Sequence, residues 1–499
     1  SRGLGDVYKR QILIMAHKDV PQIRRLVCYF DGKCDIIIHL DRHSNLSLEE
    51  ERMLAKLPGV RKVFREVSVH WAGLSIVRCQ LLLFKWGLRL SDARYFHLLS
   101  GQDYPLKPLE EFLRFFGEST QEYIGGVHLP APHWDGNTFQ RIQHYFLTDW
   151  FRLTDEKSVG KVWAFSRWQD RWGIRRRIPD QVKHLYGGSA WFSLTRGCVE
   201  AVLGYTHSHP SLLRRLRFTF APDEIYIQTV VRHVDFPDKQ VIGDNLRYIH
   251  WRRQGDDHPS NLDEKFFCEV SSSRAYFARK FNSVESRSLM NLIDRYLLTV
   301  EPQNPSATGA WNNSTFTGHF YDGGLASGIV KLCKVCKLRN AIDFGCGTGW
   351  YVAALRNSNI AAVGYDGNPY TMQLSQLLPG LERFPCEQAD LTEELIIEIP
   401  YDLAVCLSVG EYVPTMYEKN VWKNLAGATG KYLILAWGSP GGGGPGIVNA
   451  HVEWDIIQTG LSYGFQVDAL ATHWLREHCW LPKYKKEIIV FTKYKIERE

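Results

Sequence analysis

An α/β protein built as two consecutive units is what this sequence predicts, on three observations. At 499 residues the chain exceeds what one ordinary hydrophobic core organises. It opens strand, helix, strand: ILIMAH at 12–17 and DIIIHLD at 35–41 are short apolar runs, and the segment DVPQIRRLVCYF between them has helical spacing. Far downstream, NAIDFGCGTGWYVAAL at 340–355 begins the pattern again as a strand, a glycine-rich turn and a helix.

Composition narrows the class. Hydrophobic residues make up 44% and charged residues 23%, the proportions of soluble globular proteins. No apolar run approaches the roughly 20 residues that span a bilayer. The formal net charge of +6 is small for this length; it suits anionic small molecules such as nucleotide sugars and gives no argument for nucleic acid. Eleven cysteines without a framework read as reduced thiols in a cytosolic protein. Cys333 and Cys336 form a CxxC, but no second pair stands at zinc spacing, so a helix carrying two half-buried thiols is expected there rather than a metal. The opening SRGLGDVYKRQ resembles a translated sequencing-adaptor remnant, so residues 1–10 are set aside and the native start is left open.

In the first unit, YFHLLSGQDYPLKP at 95–108 repeats the apolar strand running into a polar, proline-bearing turn. Residues 120–186 are irregular and rich in Trp, Arg and His, which predicts long loops and short helices over a substrate. Within them RWQDRWGIRRR (167–177) interleaves aromatics with arginines. Two readings stand: a grip on an acidic glycan or a lipid-linked carrier at a membrane surface, or a solvated helix whose tryptophans pack inward.

Eight segments then carry a resemblance. IMAHKD (14–19), HLDRHS (39–44), WAGLSIV (71–77) and LLSGQDYPLKP (98–108), followed by GGSAWFSLTR (187–196), APDEIYIQT (221–229), NLRYIHW (245–251) and FARKF (277–281), together resemble the core-2/I-branching glycosyltransferase family, which includes the peptide O-xylosyltransferases. The resemblance covers about residues 12–285 and implies a GT-A-like domain that moves a sugar from a UDP donor with inversion. Most enzymes of this fold hold a divalent metal with Asp-x-Asp, whereas Ile38-His39-Leu40-Asp41-Arg42-His43 has a single aspartate. No metal is expected, and Lys or Arg must take the phosphates.

Carried over, Ile14, Asp41 and Trp71 form the uracil pocket, an apolar residue and an indole sandwiching the base while a carboxylate accepts its N–H. Asp103, in LLSGQDYPLKP, is grouped with the donor. Trp71 replaces the tyrosine of animal relatives, and a plain core aromatic is its alternative reading. Glu224 is the base that deprotonates the acceptor hydroxyl; Asp223 and Glu224 also read as acidic caps of the following helix. Lys280 neutralises the diphosphate, with Arg279 beside it as a second contact or an ordinary surface charge. The family's other basic contact finds no clean match in HPSNLDEKFFCEV, which leaves Lys265 and Arg274 as substitutes. Trp251 falls on the acceptor side, and Arg253 replaces the family tyrosine two places on, which implies a different and anionic acceptor.

EPQNPSATGAWNNSTFTG (301–318) is dense in Pro, Asn, Ser, Thr and Gly and reads as a junction. The expected division is therefore 11–296, a linker at 297–318, and 319–499. In the last part Asp343-Phe344-Gly345-Cys346-Gly347-Thr348-Gly349 follows a strand and precedes a helix. Asp366 closes the next strand, Ala389-Asp390-Leu391 ends a third and YDLAVCLSVGEYVP supplies a fourth. These pieces in this order resemble the Rossmann-like class I S-adenosylmethionine-dependent methyltransferases. The resemblance implies that Asp343, Gly345, Gly347 and Gly349 hold the methionine end, Asp366 the ribose, and Asp390 and Leu391 the adenine. A dinucleotide dehydrogenase would show GxGxxG instead. Glu411, at the end of a strand, and His451 are the candidate bases, with a solvated loop histidine as the plain reading of His451.

The expectation is a bacterial-type, cytoplasmic enzyme at the inner membrane face, in polysaccharide or glycolipid assembly. It adds GlcNAc or xylose from UDP-GlcNAc or UDP-xylose to a glycan or glycolipid and methylates that glycan or a neighbouring group using S-adenosylmethionine. Alternatives kept open are that one half is a non-catalytic binding module, or that two separate genes were joined in assembly.

Overall fold

The computed structural model describes residues 10–131, 138–150, 153, 156–177, 184–252, 258–302, 305–442 and 446–494. The chain divides into two compact units, Ser1–Asn291 and Leu292–Glu499.

The first unit is a seven-stranded sheet between helical layers. Strands β1 (Arg10–Ala16), β2 (Asp35–Leu40), β3 (Val60–Phe64) and β4 (Tyr95–Ser100) run parallel in the order β3-β2-β1-β4. Strand β5 (Asp103–Pro105) leaves this sheet. Beyond β4 lie β6 (Glu122–Ile124) and, after the hairpin pair β7 (Val127–His128) and β8 (Tyr186–Gly187), β9 (Phe192–Thr195) and β10 (Val241–Ile242); the order is β4-β9-β6-β10, with β9 antiparallel to its neighbours. The continuous apolar run of β2 is explained by burial on both faces. Alternation sends Leu13, Ile37 and Leu98 to one layer, beneath helix Leu74–Leu90, and Ile12, Ile14, Ile36 and Ile38 to the other, against helices Val20–Tyr29 and Leu109–Glu118.

A three-stranded sheet joins β5 to β11 (Arg247–Ile249) and β12 (Phe277–Arg279), in the order β11-β12-β5. Its register sets Arg279 opposite Asp103. Two expectations change in this unit. Arg10, set aside with the opening segment, is a buried member of β1 whose guanidinium bonds the Leu113 carbonyl. The region read as loops and short helices contains a 16-residue helix, Glu156–Arg171.

The second unit is also a seven-stranded sheet. Strands β13 (Asn340–Phe344), β14 (Ala361–Asp366), β15 (Glu387–Gln388), β16 (Tyr401–Leu407) and β17 (Thr429–Ala436) are parallel, and β18 (Phe465–Val467) and β19 (Ile488–Lys493) close the far edge antiparallel, giving β15-β14-β13-β16-β17-β19-β18. The chain builds outward from β13 to β15, then returns to β16 on the other flank of β13. That reversal opens a crevice at the strands' carboxyl ends, where open α/β sheets bind ligands. Both units are α/β as predicted, glycosyltransferase-like first and Rossmann-like second. Cys333 is buried on helix Gly323–Val335, and Cys336 follows at its end with its thiol toward the Tyr432 hydroxyl.

The stretch read as a linker is structural. Thr308, Ala310, Trp311 and Asn313 form part of the crevice wall, and Asn313 exchanges hydrogen bonds with Asn368 (2.8 and 3.3 Å). A Pro/Asn/Ser/Thr-rich composition marks absence of regular structure, and this segment is irregular but packed.

Candidate active sites

In the first unit the site forms where the apolar run of β1 ends. Asp19 caps helix Val20–Tyr29, Pro follows in its first turn, and the Asp19 carboxylate accepts from Gln22 N (3.2 Å) and from Ser283 N (2.8 Å). That second bond ties the His17-Lys18-Asp19 loop to the loop after Lys280, while Phe281 N donates to Gln102 O at 2.8 Å. Basic groups therefore converge. Burial, then Arg279 and Lys18, pull the Lys280 ammonium down to about 8. Burial, then Lys280, Arg279 and Lys18, hold His258 down at about 4. Burial and Lys18 also lower His17. Lys280 and Lys18 supply positive charge suited to an anion, while the two imidazoles, held neutral, can offer it ring N–H donors. Lys18, His17 and His258 replace Lys265 and Arg274 as the further basic groups; those two are exposed and do not figure among the charges acting on Lys280. The HKD that follows β1 was the available signal for Lys18, whereas His258 had none.

Arg279 is not a surface charge. It is 8% exposed, lies 4.1 Å over the Trp191 ring and pairs with Asp103 at 3.5 Å. Asp103 itself is 0% exposed and also accepts from Ser100 N, so it cannot touch a donor; it positions Arg279. Ile14 needs the same correction. It is 0% exposed inside the core, leaving no surface for a base. Asp41, at the end of β2, accepts from His43 N (3.2 Å) and Val69 N (3.0 Å). Trp71 packs edge-on to Phe220 (5.6 Å) and lies 4.7 Å from the His258 ring, next to the basic cluster. Asp149 holds it there by capping helix Leu74–Leu90 through Leu74 N and Ser75 N; a Cβ on Gly73 would come within 2.3 Å of that carboxylate.

Glu224 ends the turn Pro222–Glu224. Its side chain is 33% exposed and its Oε2 accepts from Arg141 Nη1 at 2.9 Å. Asp223 is buried with Oδ1 unbonded; burial first, then the Glu224 charge, raise it to about 7, while Arg141 and Arg279 act the other way. Asp223–Glu224 and Arg279–Lys280 thus belong to one network of interacting charges. Neither acid caps helix Tyr226–His233, whose N-cap Ile225 offers no side-chain bond. Trp251 is 45% exposed, and Arg253 lies outside the described residues.

In the second unit a cavity of about 210 Å³ occupies the crevice. Gly345 and Gly347 have φ of 71° and 55°, and a Cβ on Gly347 would stand 2.6 Å from His319 Nδ1, so only glycine leaves the cradle open. Asp366 Oδ2 accepts from Gly347 N (2.6 Å) and Oδ1 from Asn368 N (2.8 Å). Asp343 is 2% exposed with Oδ2 unbonded, and burial, then Asp366, push it well above the usual carboxylate range. A glycine cradle with an orphaned carboxyl fits a cofactor bearing an ammonium group and ribose hydroxyls. Asp390, bonded to Thr392, and Leu391 complete this wall. Gly349 does not line it. It precedes helix Trp350–Arg356, and a Cβ there would meet Cys386 Sγ at 2.8 Å.

The two candidate bases stand elsewhere. Glu411 is 0% exposed behind the wall, and its Oε1 pairs with Lys483 Nζ at 3.0 Å. His451 Nε2 is engaged by Glu418 Oε2 at 3.0 Å, outside the cavity lining. Lys483, Ser408, Tyr412, Tyr484 and His319 line the cavity instead, His319 with Nε2 unbonded. Strand-end position identified Glu411; the burial of its carboxylate depends on tertiary packing. Among the described residues, no three His, Cys, Asp or Glu side chains group as metal ligands.

The family described as Core-2/I-Branching enzyme matches residues 12–274, and a methyltransferase domain family matches residues 342–429. Xylosyltransferase 2 of Mus musculus is 24% identical over 326 residues, 60% of this chain and 35% of that protein. A beta-glucuronosyltransferase of Arabidopsis thaliana is 24% identical over 292 residues, 56% of this chain and 61% of that protein. The chain thus spans about a third of the xylosyltransferase it matches. Magnesium protoporphyrin IX methyltransferase of Synechocystis, solved with bound SAH, is 19% identical with a TM-score of 0.27, covering 34% of this chain and 81% of that one.

Proposed function

We propose, because this chain belongs to the Core-2/I-branching enzyme family, that its first unit transfers a sugar from a UDP donor to a glycan or glycolipid hydroxyl, inverting the anomeric carbon without a metal. GlcNAc or xylose is the proposed sugar. The observation that carries this is a chain of neighbouring charges: Glu224 pairs with Arg141 and acts on Asp223, Asp223 and Arg279 act on each other, and Arg279 acts on Lys280. Glu224 takes the proton of the attacking hydroxyl, the new glycosidic bond forms as the bond to diphosphate breaks, and Lys280, with Lys18 nearby, takes the charge of the departing UDP, the neutral His258 ring offering an N–H donor. Trp71 and Asp41 receive the uracil, and Trp251 packs against the acceptor.

The second unit is proposed to methylate the same glycan or a neighbouring group. S-adenosylmethionine supplies the electrophilic methyl. Asp343, Gly345 and Gly347 would hold its methionine end, Asp366 its ribose, and Asp390 and Leu391 its adenine. A tethered pair of sites raises the local concentration of a shared substrate. The eleven free thiols support a reducing, cytoplasmic setting.

The test is a panel of UDP-sugars offered to the full chain with EDTA, reading donor hydrolysis and transfer; a strict need for divalent metal refutes the phosphate site. A pH profile adds a second check. Lys280 sits at about 8, so it is charged below that value and loses its proton above it. Donor affinity is expected to fall above about pH 8, and Lys280→Arg should extend the plateau to higher pH, because guanidinium keeps its proton. An unshifted alkaline limb in Lys280→Arg assigns the titration to another group.

A further inference from the structure

The helix Glu156–Arg171 carries apolar side chains on both its sides, Val159, Val162 and Trp163 facing inward. Its inward side is anchored by Ser166 and Gln169, each 1% exposed: Ser166 bonds His144 Nδ1, and the Gln169 amide bonds both backbone groups of Tyr145 (2.8 and 2.9 Å). Trp163 packs inward on Phe146 and Phe220. The outward side nevertheless carries Phe165, Trp168 and Trp172, at helical spacing, exposed to 39, 48 and 68%. Phe165 and Trp168 stack on each other (5.8 Å, 11°), with Trp172 next along (6.4 Å). Lys161, Arg167, Arg171 and Arg177 surround them, all exposed. Of the seven Lys or Arg in residues 157–177, Arg176 is 8% exposed and Arg175 pairs with Asp170, which leaves five further cations, all exposed. The tryptophans therefore do not all pack inward.

We propose that this face seats the protein on a membrane surface rich in anionic lipid. Exposed Trp and Phe enter the headgroup region while arginines meet phosphates, the chemistry of helices lying in the interfacial plane. An exposed helix face offers no cleft of the kind that encloses a small ligand, whereas a headgroup layer needs none. Trp163, on the opposite side of the same helix, reaches Phe220 at 5.0 Å, and Phe220 touches Trp71. The lipid-facing helix thus packs, through Phe220, behind the tryptophan proposed to receive the uracil, and a lipid-linked acceptor would arrive near that site. The docking is independent of the proposed sugar transfer, and its test reads binding alone.

The full chain is co-floated with vesicles of phosphatidylcholine alone and of phosphatidylcholine mixed with phosphatidylglycerol. Binding is expected only to the mixed vesicles, weakening with salt. Arg167→Ser with Arg171→Ser should lower it roughly thirtyfold, or about 1 kcal/mol for each cation removed from an anionic surface. Phe165→Ser with Trp168→Ser and Trp172→Ser should abolish it, with an unchanged far-UV circular dichroism spectrum and melting temperature as the check on folding. Should that triple variant not fold, the lipid dependence of the parent and the arginine pair decide. Failure of the parent to bind mixed vesicles overturns the proposal, as does equal binding by the arginine pair. Binding to soluble polygalacturonate with none to vesicles overturns it in favour of an acidic glycan.

Discussion

Glu224→Gln is expected to slow sugar transfer roughly 10²–10⁴-fold, the range contributed by a positioned general base, while leaving UDP affinity unchanged. The amide is nearly isosteric and its oxygen can still accept from Arg141, which the native carboxylate meets at 2.9 Å. What it loses is the capacity to accept the acceptor's proton. Transfer assays beside calorimetric UDP titration separate the two effects. Transfer persisting at the parent rate would move the base to another group, and the neighbouring Asp223 carboxyl, raised to about 7, would be the next to replace.

In the second unit, Asp366→Ala is expected to weaken S-adenosylmethionine binding by about 1–3 kcal/mol, the scale of leaving buried hydroxyls without a partner. The carboxylate lies in the crevice wall and also holds the Gly347 amide at 2.6 Å. Its removal therefore takes away a ribose acceptor and loosens the turn that cradles the methionine end. UDP binding in the same sample should not move. Unchanged cofactor affinity would refute the ribose role.

Much of the architecture was legible because parallel sheets covered on both faces write themselves as unbroken apolar runs. DIIIHLD and the strand that runs into DFGCGTG are such runs, and each became an interior strand with a neighbour on both edges. Glycine turns were equally readable, since Gly345 and Gly347 occupy conformations that side chains resist. Side-chain roles were harder. Asp103 and Glu411 are acidic residues at strand ends, a pattern that matches catalysis, yet both are fully buried and serve the cations Arg279 and Lys483. Ile14 and Gly349 turned inward for the same reason: sequence spacing gives the strand or turn but not which side a cavity opens. His258 and His319 stand in segments without periodicity, and only the tertiary fold brings them beside Lys280 and Asp366. The helix 156–171 was read in part, residues 167–177 being offered as a solvated helix with inward tryptophans; Trp168 and Trp172 face outward instead, which periodicity alone does not decide.

The irregular stretch before the second sheet has a practical bearing on dissecting the enzyme. A gene trimmed to begin at codon 319, where composition draws the boundary, would discard Ala310, Trp311 and Asn313 and leave Asn368 without its partner. Such a fragment would keep every strand while its cofactor groove lay open along one flank. A start at Leu292, where the compact unit itself begins, retains that flank.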